Sequence, residues 1–191
     1  MTGFRIPRPA LFAVAALIQA ALIAAMVVDR ARILREGTEI TLHSRAVDPR
    51  DFLRGDYVAL GYDISSVKAG AIEDRPSGGP VFVKLAPGAD GFYQMVSVHD
   101  EPVVVSPPEV LIRGRVTSGA GCGRNSHAFC DSLRLRYGLE RYFVPQGEGL
   151  AIESARNAGK VAVVAAVAAD GRAAIKRLLI DGQPVYDEPL F

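Results

Sequence analysis

The sequence has no excess of charge of either sign. Its 191 residues include 22 lysines and arginines and 21 aspartates and glutamates, which leaves a net charge of +1. It contains no run of basic residues and no interleaving of basic with aromatic residues. Proteins that bind nucleic acid usually carry a basic stripe that neutralises phosphates. We therefore do not expect nucleic acid to be a partner.

Several motifs that mark particular chemistries are also missing. The sequence has no phosphate-binding glycine loop, no His-Glu-x-x-His pair for zinc and no Gly-x-Ser-x-Gly nucleophile elbow. It has no Cys-x-x-Cys-His segment for haem attachment either. We accordingly predict neither a cofactor nor a metal ion.

Only one long apolar run is present, and it lies near the N-terminus. The nineteen residues from Ala10 to Val28 include no charged side chain, and Arg5 and Arg8 precede them. As a helix this run is about 28 Å long, close to the thickness of the hydrocarbon core of a bilayer. We predict a transmembrane anchor in contact with lipid. The alternatives are a buried core helix and a signal peptide cleaved near Ile23-Ala24-Ala25.

The remainder of the chain has the pattern of short strands. From Asp56 to Ile64 apolar and polar residues alternate, with Val58, Leu60, Tyr62 and Ile64 on one face. Turn signals separate such segments. Asp170-Gly171 is the strongest hairpin signal among them, and Asp181-Gly182 repeats it before Pro184-Val185-Tyr186. Other strands are predicted at Glu39 to Leu42, Val81 to Leu85, Phe92 to Val98, Val110 to Val116, Leu133 to Tyr137, Val161 to Ala168 and Ala173 to Ile180.

One segment outside the anchor favours a helix. Gly149 to Ala158 has helical spacing of apolar residues, and Gly159 is placed to end it. The predicted fold is therefore mainly β: an antiparallel sheet, sandwich or partly open barrel, with one N-terminal transmembrane helix and one short additional helix. Residues 1–35 form the tail, anchor and linker, the linker beginning at Arg30, and residues 36–191 form the β-rich domain.

Three segments resemble a known family of bacterial membrane-anchored proteins. The first is Val47 to Ser65. Within it, Gly55 to Tyr62 reads GDYVALGY and matches the pattern Gly-Asp-Tyr-x-x-Leu-x-Tyr, after which the GDYXXLXY family is named. The blocks at Leu133 to Gly149 and Asp170 to Tyr186 follow in the expected order. The resemblance implies a layout without an established activity.

The resemblance also bears on topology and partners. The charges that flank the apolar run do not decide its orientation. The family resemblance implies a short cytoplasmic tail, a single span of the bacterial inner membrane and a periplasmic C-terminal domain. It further implies a partner, since related proteins are often encoded beside multi-spanning membrane proteins.

Two cysteines lie in a glycine-rich segment. Cys122 and Cys130 are separated by seven residues, and in an exported domain this spacing predicts a small disulfide loop. Its closure would stabilise the fold by roughly 2 to 3 kcal/mol in the chain-entropy model. The alternative adds His127 as a third metal ligand, but Cys-x4-His-x2-Cys matches no common zinc pattern.

The candidate binding residues come from the signature and from the second block. The signature itself is accounted for by a strand and its entry turn, in which the Asp side chain caps the turn. The second block is dense in Arg, Tyr and Glu, which suits an anion or a sugar and equally suits cross-strand ion pairs. The candidate binding residues are Asp56, Tyr57, Arg136, Tyr137, Glu140 and Tyr142.

The preferred hypothesis is a non-enzymatic membrane-anchored domain that binds a protein or a ligand and partners a multi-spanning membrane protein. A hydrolase is the alternative, with two forms. One is a divergent relative of the signal peptidases using Ser44 and Lys84, although Ala46 stands where the serine is expected. The other uses Asp56 and Glu140 as paired carboxylates.

Overall fold

The chain was analysed as a computed structural model that describes residues 8–45, 57–68, 79–117, 132–145 and 149–188. It begins with a single helix, α1, over Arg8–Glu36. Over residues 9–36 this helix is long and apolar enough to cross a membrane, with a mean hydropathy of 2.6 and no burial against the rest of the described chain in its most apolar window. The segment from Arg30 onward, predicted as a linker, is instead helical. No Gly or Pro interrupts it before Gly37, whose amide donates to the carbonyl of Ile33 (2.9 Å) and ends the helix.

A five-stranded antiparallel sheet follows directly from this helix. Its strands are β1 (Thr38–Arg45), β3 (Gly61–Tyr62), β10 (Val161–Val167), β11 (Ala173–Ile180) and β12 (Gln183–Asp187), in the order β12-β11-β10-β1-β3. Both predicted Asp-Gly turns form, one between β10 and β11 and the other between β11 and β12.

A second five-stranded antiparallel sheet packs against the first. Its strands are β4 (Ser66–Lys68), β5 (Pro80–Pro87), β6 (Tyr93–His99), β7 (Val110–Thr117) and β8 (Ser132–Arg136), in the order β4-β8-β7-β5-β6. The two sheets form a half-barrel, so the prediction of a mainly β, antiparallel fold is confirmed.

The signature segment forms a strand in two pieces rather than one. β2 (Tyr57–Ala59) pairs with β9 (Arg141–Phe143), after which the chain changes partner and β3 pairs with β1. A 3-10 turn at Asp63–Ser65 then leads into β4. The prediction of one continuous strand from residue 56 to 64 is therefore wrong, because the described part of this segment, from residue 57 to 64, forms two short strands followed by a 3-10 turn. The predicted alternation is confirmed, since Val58, Leu60, Tyr62 and Ile64 are all buried.

The core lies between the two sheets, and α1 and α2 cover parts of the first. α2 (Gly149–Asn157) confirms the predicted short helix and contributes Ile152 to the core. β10 is buried along its whole length. One of its sides faces the core, and on the other side Ala166 packs in a second cluster with Ile33 and Leu34 of α1.

Candidate functional site

The last tyrosine of the signature is a core residue with a buried hydroxyl. Tyr62 is 3% exposed, and its hydroxyl donates to the carbonyl of Leu139 (2.6 Å). Tyr137 makes the converse bond, because its hydroxyl donates to the carbonyl of Ile64 (2.5 Å). Burial, reinforced by the charge of Glu140, raises the pKa of both tyrosines well above the ordinary value. Both hydroxyls therefore stay protonated and act as donors.

Glu140 organises the turn that receives these tyrosines. Its carboxylate accepts the amides of Tyr137 (2.6 Å) and Gly138 (3.1 Å), and its own carbonyl accepts the amide of Leu60 (2.9 Å). A carboxylate held by two backbone donors is committed to shaping the turn. Asp56, its proposed acidic partner, lies outside the described residues.

Tyr57, the first tyrosine of the signature, faces away from the core. Its ring lies beside that of Phe143 on the neighbouring strand, with 6.2 Å between the ring centroids. The guanidinium of Arg141 lies 5.4 Å from the centroid of the Tyr57 ring. Phe143 is 75% exposed, so these three side chains form a small outward-facing aromatic cluster.

The structure places the other two predicted site residues elsewhere. Arg136 is exposed on the second sheet, where it lies opposite Arg115. Tyr142 is buried, its ring centroid lies 6.3 Å from that of Tyr186, and burial with the nearby charges of Glu188 and Asp187 raises its pKa to about 12. Among the described candidates, Tyr137 and Glu140 thus share a turn, whereas Tyr57 and Arg136 lie on separate surfaces.

A buried arginine beneath the signature strand was not among the candidates. Arg156 of α2 is 1% exposed and donates to the carbonyl of Ala59 and to the side chain of Asn157. Glu153, one turn earlier, lies 4.0 Å from its guanidinium. The bond to Ala59 ties α2 to β2 at the point where the signature strand changes partner. The sequence signal was weak, because an Arg in a short amphipathic helix is usually solvated.

The two residues of the peptidase hypothesis are not brought together. Ser44 is completely buried on the core side of β1, and in the described part of the chain its hydroxyl has no hydrogen-bond partner. Lys84 lies between the inward-facing Val83 and Leu85, and its amine binds Glu109 (2.8 Å). A Ser-Lys pair needs direct contact with a lysine free to lose its proton, so this arrangement does not provide a nucleophile.

A cleft lies between the β5–β6 hairpin and the edge of the first sheet. It has a volume of about 460 Å³, within the range of small-molecule sites. His43 lies at its wall with its ring edge-on to Phe92, the centroids being 5.6 Å apart. The cleft combines aromatic and aliphatic side chains with two carboxylates, and it is lined in part by His43, Tyr62, Asp63, Asp90, Phe92 and Met95.

Comparison with known families places these features in context. The model of the GDYXXLXY protein family matches residues 19–178, which is most of the chain. The chain belongs to the GDYXXLXY family. Neither a curated protein nor a solved structure matches it.

The GDYXXLXY signature can now be assigned to parts of the fold. Within the described residues, Leu60 and Tyr62 belong to the core, and Tyr57 begins the strand that pairs with β9. The GDYXXLXY match begins at residue 19 and so includes the part of α1 from that residue onward. Cys122 and Cys130 lie outside the described residues, and their disulfide stays a prediction.

In this GDYXXLXY protein, charged side chains join the C-terminal part of α1 to the domain. Arg172 donates to both carboxylate oxygens of Asp29, one of them at 2.9 Å, and it also binds Asp170 (2.6 Å). Arg30 lies 3.8 Å from Glu188 of the first sheet. Ile33 and Leu34, one turn further along, are buried against the same sheet. Sequence reasoning missed this contact because Asp29 and Arg172 are 143 residues apart.

Proposed function

We propose that this chain is a non-enzymatic, membrane-anchored subunit that assembles with a multi-spanning membrane protein through its N-terminal helix. The observation that carries the proposal is the junction of Asp29 with Arg172, together with the burial of Ile33 and Leu34. A helix that only tethers a domain needs no such contacts. A helix fixed to the domain gives the domain a set orientation relative to whatever the helix binds in the bilayer.

The surface of the helix supports a partner within the membrane. Its apolar side chains are exposed within the described chain, including Phe12 (76%) and Met26 (74%). At 100° per residue, four alanines fall on one face, where small side chains let another helix approach closely. These alanines are Ala13, Ala16, Ala20 and Ala24.

The proposed location is the bacterial inner membrane, with the domain on the periplasmic side. The family resemblance supports this orientation, and the disulfide predicted between Cys122 and Cys130 would suit an oxidising compartment. The proposed division of the chain is a short tail, the spanning segment Ala10 to Val28 and a periplasmic domain. The contact of Arg172 with Asp29, the first residue after this segment, supports a position of the domain next to the membrane surface.

The test is a pull-down of tagged full-length protein from native membranes in mild detergent, with mass spectrometry of everything retained. We expect a stoichiometric multi-spanning protein. Ala20→Leu should release it, because the bulky side chain separates the two helices. Ala25→Leu is the matched control, since the same substitution lies about 140° around the helix from Ala20, outside the alanine face. Recovery of the full-length protein alone, or equal effects of the two substitutions, would contradict the proposal.

The cleft favours a second candidate function, the binding of a small ligand. Its lining includes the rings of Phe92 and Tyr93 and the carboxylate of Asp90, and among the described residues it includes no Lys or Arg. The other carboxylate of the lining, Asp63, is paired with Arg45 at the edge of the cleft. Such a lining suits a compact ligand that carries an amine and an apolar or aromatic part.

This second candidate can be tested with the full-length protein in detergent. A panel of aromatic and aliphatic amines would be screened for an increase in the unfolding temperature. Phe92→Ala should abolish any increase, whereas Phe143→Ala, which removes an exposed ring elsewhere, should leave it unchanged. A panel without any effect, or an effect that survives Phe92→Ala, would exclude the cleft as the site.

A further inference from the structure

The outer face of the second sheet carries five exposed basic side chains, which we call the basic face: Lys68, Arg113, Arg115, Arg134 and Arg136. They come from three adjacent strands, β4, β8 and β7. They share one face because residues next to them in the sequence are buried on the other side of the sheet, among them Val67, Ile112 and Leu135. Segments distant in sequence thus assemble one concentrated positive surface in a chain of almost no net charge.

The described part of the chain provides no counter-charge for the basic face. In the ranges that the structure describes, none of its five side chains makes an ion pair or a side-chain hydrogen bond. Arginines elsewhere in the domain differ: Arg45 binds Asp63, and Arg177 binds Asp187 (2.5 Å).

The arrangement of the arginines is itself unfavourable. Arg115 and Arg136 are direct cross-strand partners on β7 and β8. Like charges placed directly opposite each other repel and destabilise a sheet. Arg134 lies two residues from Arg136 and pairs across to Ser66 and Thr117, neither of which is acidic. The repulsion between these arginines is reduced when an external anion lies over them.

The fold brings this surface close to the membrane boundary. The amide of Arg113 donates to the carbonyl of Gly171 (2.7 Å), in the same turn whose Arg172 binds Asp29. Asp29 is the first charged residue after the apolar run. Arg115 is two residues further along β7, about 7 Å from Arg113. Membrane surface charge acts over about one Debye length, about 8 Å at physiological ionic strength, so the end of the basic face at Arg113, beside this turn, is the part that it reaches first.

We propose that the basic face binds the headgroups of anionic phospholipids in the membrane that holds α1. Guanidinium groups match phosphate because two parallel N–H donors engage two phosphate oxygens. The headgroups supply the negative charge that the face lacks, and the domain then contacts the bilayer at a second point besides its anchor. The inference rests on the membrane anchoring proposed above and does not require a protein partner.

The first experiment compares arginine reactivity in nanodiscs of two compositions. Full-length protein is placed in phosphatidylcholine discs and in discs with equal parts of phosphatidylcholine and phosphatidylglycerol. It is then treated with phenylglyoxal, and modified peptides are quantified. We expect Arg115 and Arg136 to react several-fold more slowly in the anionic discs. Arg141, exposed on another part of the domain, should react equally in both and serves as the internal control.

The outcomes separate this proposal from its alternatives. Equal rates of Arg115 modification in the two kinds of disc overturn it, because any contact of the face with the membrane is then independent of lipid charge. Protection in neutral discs on addition of inorganic phosphate indicates a soluble anion and also overturns it. Protection seen only in native membrane vesicles assigns the face to an acidic protein. Failure of the chain to enter discs at all would instead contradict the anchoring.

A second measurement does not depend on chemical modification. The unfolding temperature of the wild-type protein should be higher in anionic than in neutral discs. The double variant Arg115→Gln/Arg136→Gln should fold and lose this increase. Arg141→Gln should keep it. An increase that persists in the double variant would assign the lipid effect to another surface and overturn the proposal.

Discussion

Tyr62 and Tyr137 make reciprocal hydrogen bonds across the core. The Tyr62 hydroxyl donates to the carbonyl of Leu139, two residues after Tyr137, and the Tyr137 hydroxyl donates to the carbonyl of Ile64, two residues after Tyr62. The segment that contains β3 and the turn after β8 are thereby joined at two points. The amide of Leu60, which donates to the carbonyl of Glu140, adds a third. The final tyrosine of the family signature is therefore explained by a structural contact that needs no ligand.

Loss of either hydroxyl should destabilise the folded state. Tyr62→Phe and Tyr137→Phe each leave a buried carbonyl without its donor, so each should lower the free energy of unfolding by about 1 to 3 kcal/mol. Tyr93→Phe is the control, because the Tyr93 hydroxyl bonds Pro108 at an exposed site and its loss should cost less than about 0.5 kcal/mol. Denaturant unfolding of the full-length protein measures all three. Equal effects at Tyr62 and Tyr93 would contradict the role assigned to the pair.

Stability should fall in alkaline solution. Burial raises the pKa of Tyr62 and Tyr137 in the folded state, whereas in the unfolded chain they titrate near about 10. Their contribution is complete below pH of about 10 and is lost above it, because the unfolded state then releases protons that the folded state retains. The slope should approach about 1.4 kcal/mol per pH unit for each tyrosine. In Tyr137→Phe the decline should be shallower by that amount, and an unchanged slope would contradict the assignment.

The sequence predicted the local features of the fold better than its pairings. Alternation along residues 56–64 and the two Asp-Gly turns indicated which side chains face the core and where chains reverse. The change of partner at Leu60 was not predictable, because a period of two is the same whichever strand lies alongside. The bond from Leu60 to Glu140 depends on chain segments that meet only after folding.

The residues of the candidate site show the same contrast between local sequence signals, which were predictive, and strand pairing, which was not predicted. The signature and the Arg-Tyr-rich block identified Tyr57, Tyr137 and Glu140, all of which lie near the β2–β9 pair or the turn beside it. The basic face was missed, since Arg113 and Arg136 become neighbours only through the pairing of β7 with β8. A balanced net charge does not reveal how charges are distributed over the surface.

Ser44 should be replaceable by alanine without loss of stability. Its hydroxyl is buried, and among the described residues it has no hydrogen-bond partner, so it bears a desolvation cost without a compensating bond. Ser44→Ala should therefore raise the free energy of unfolding by up to about 1 kcal/mol. Ser97→Ala is the contrasting variant, because the Ser97 hydroxyl bonds His99 (2.8 Å). A loss of more than about 1 kcal/mol in Ser44→Ala would indicate a bond that the described chain does not contain.

Arg156 should be among the least replaceable charged residues. Arg156→Met keeps an extended apolar stem but removes the donors to the carbonyl of Ala59, which should cost about 2 to 4 kcal/mol. The same substitution at Arg177, a surface partner of Asp187, should cost less than about 1 kcal/mol. Thermal and denaturant unfolding distinguish the two. Similar costs for both variants would show that the bond to Ala59 does not hold α2 against β2.

Two glycines test the close approach of the β10–β11 turn to the second sheet. Gly171 and Gly182 both have positive φ, 83° and 78°, so alanine strains the backbone at each by about 1 to 2 kcal/mol. A Cβ at Gly171 would also lie 3.0 Å from the amide nitrogen and 3.1 Å from the Cβ of Arg113, whereas a Cβ at Gly182 meets nothing within 4 Å. Gly171→Ala should therefore lower the unfolding free energy by at least about 1 kcal/mol more than Gly182→Ala.

Gly171→Ala should also raise the susceptibility of the α1 junction to proteolysis, because the turn that contacts Arg113 contains Arg172 as well. Equal costs, with an equally protected junction, would mean that the turn does not couple the anchor to the second sheet.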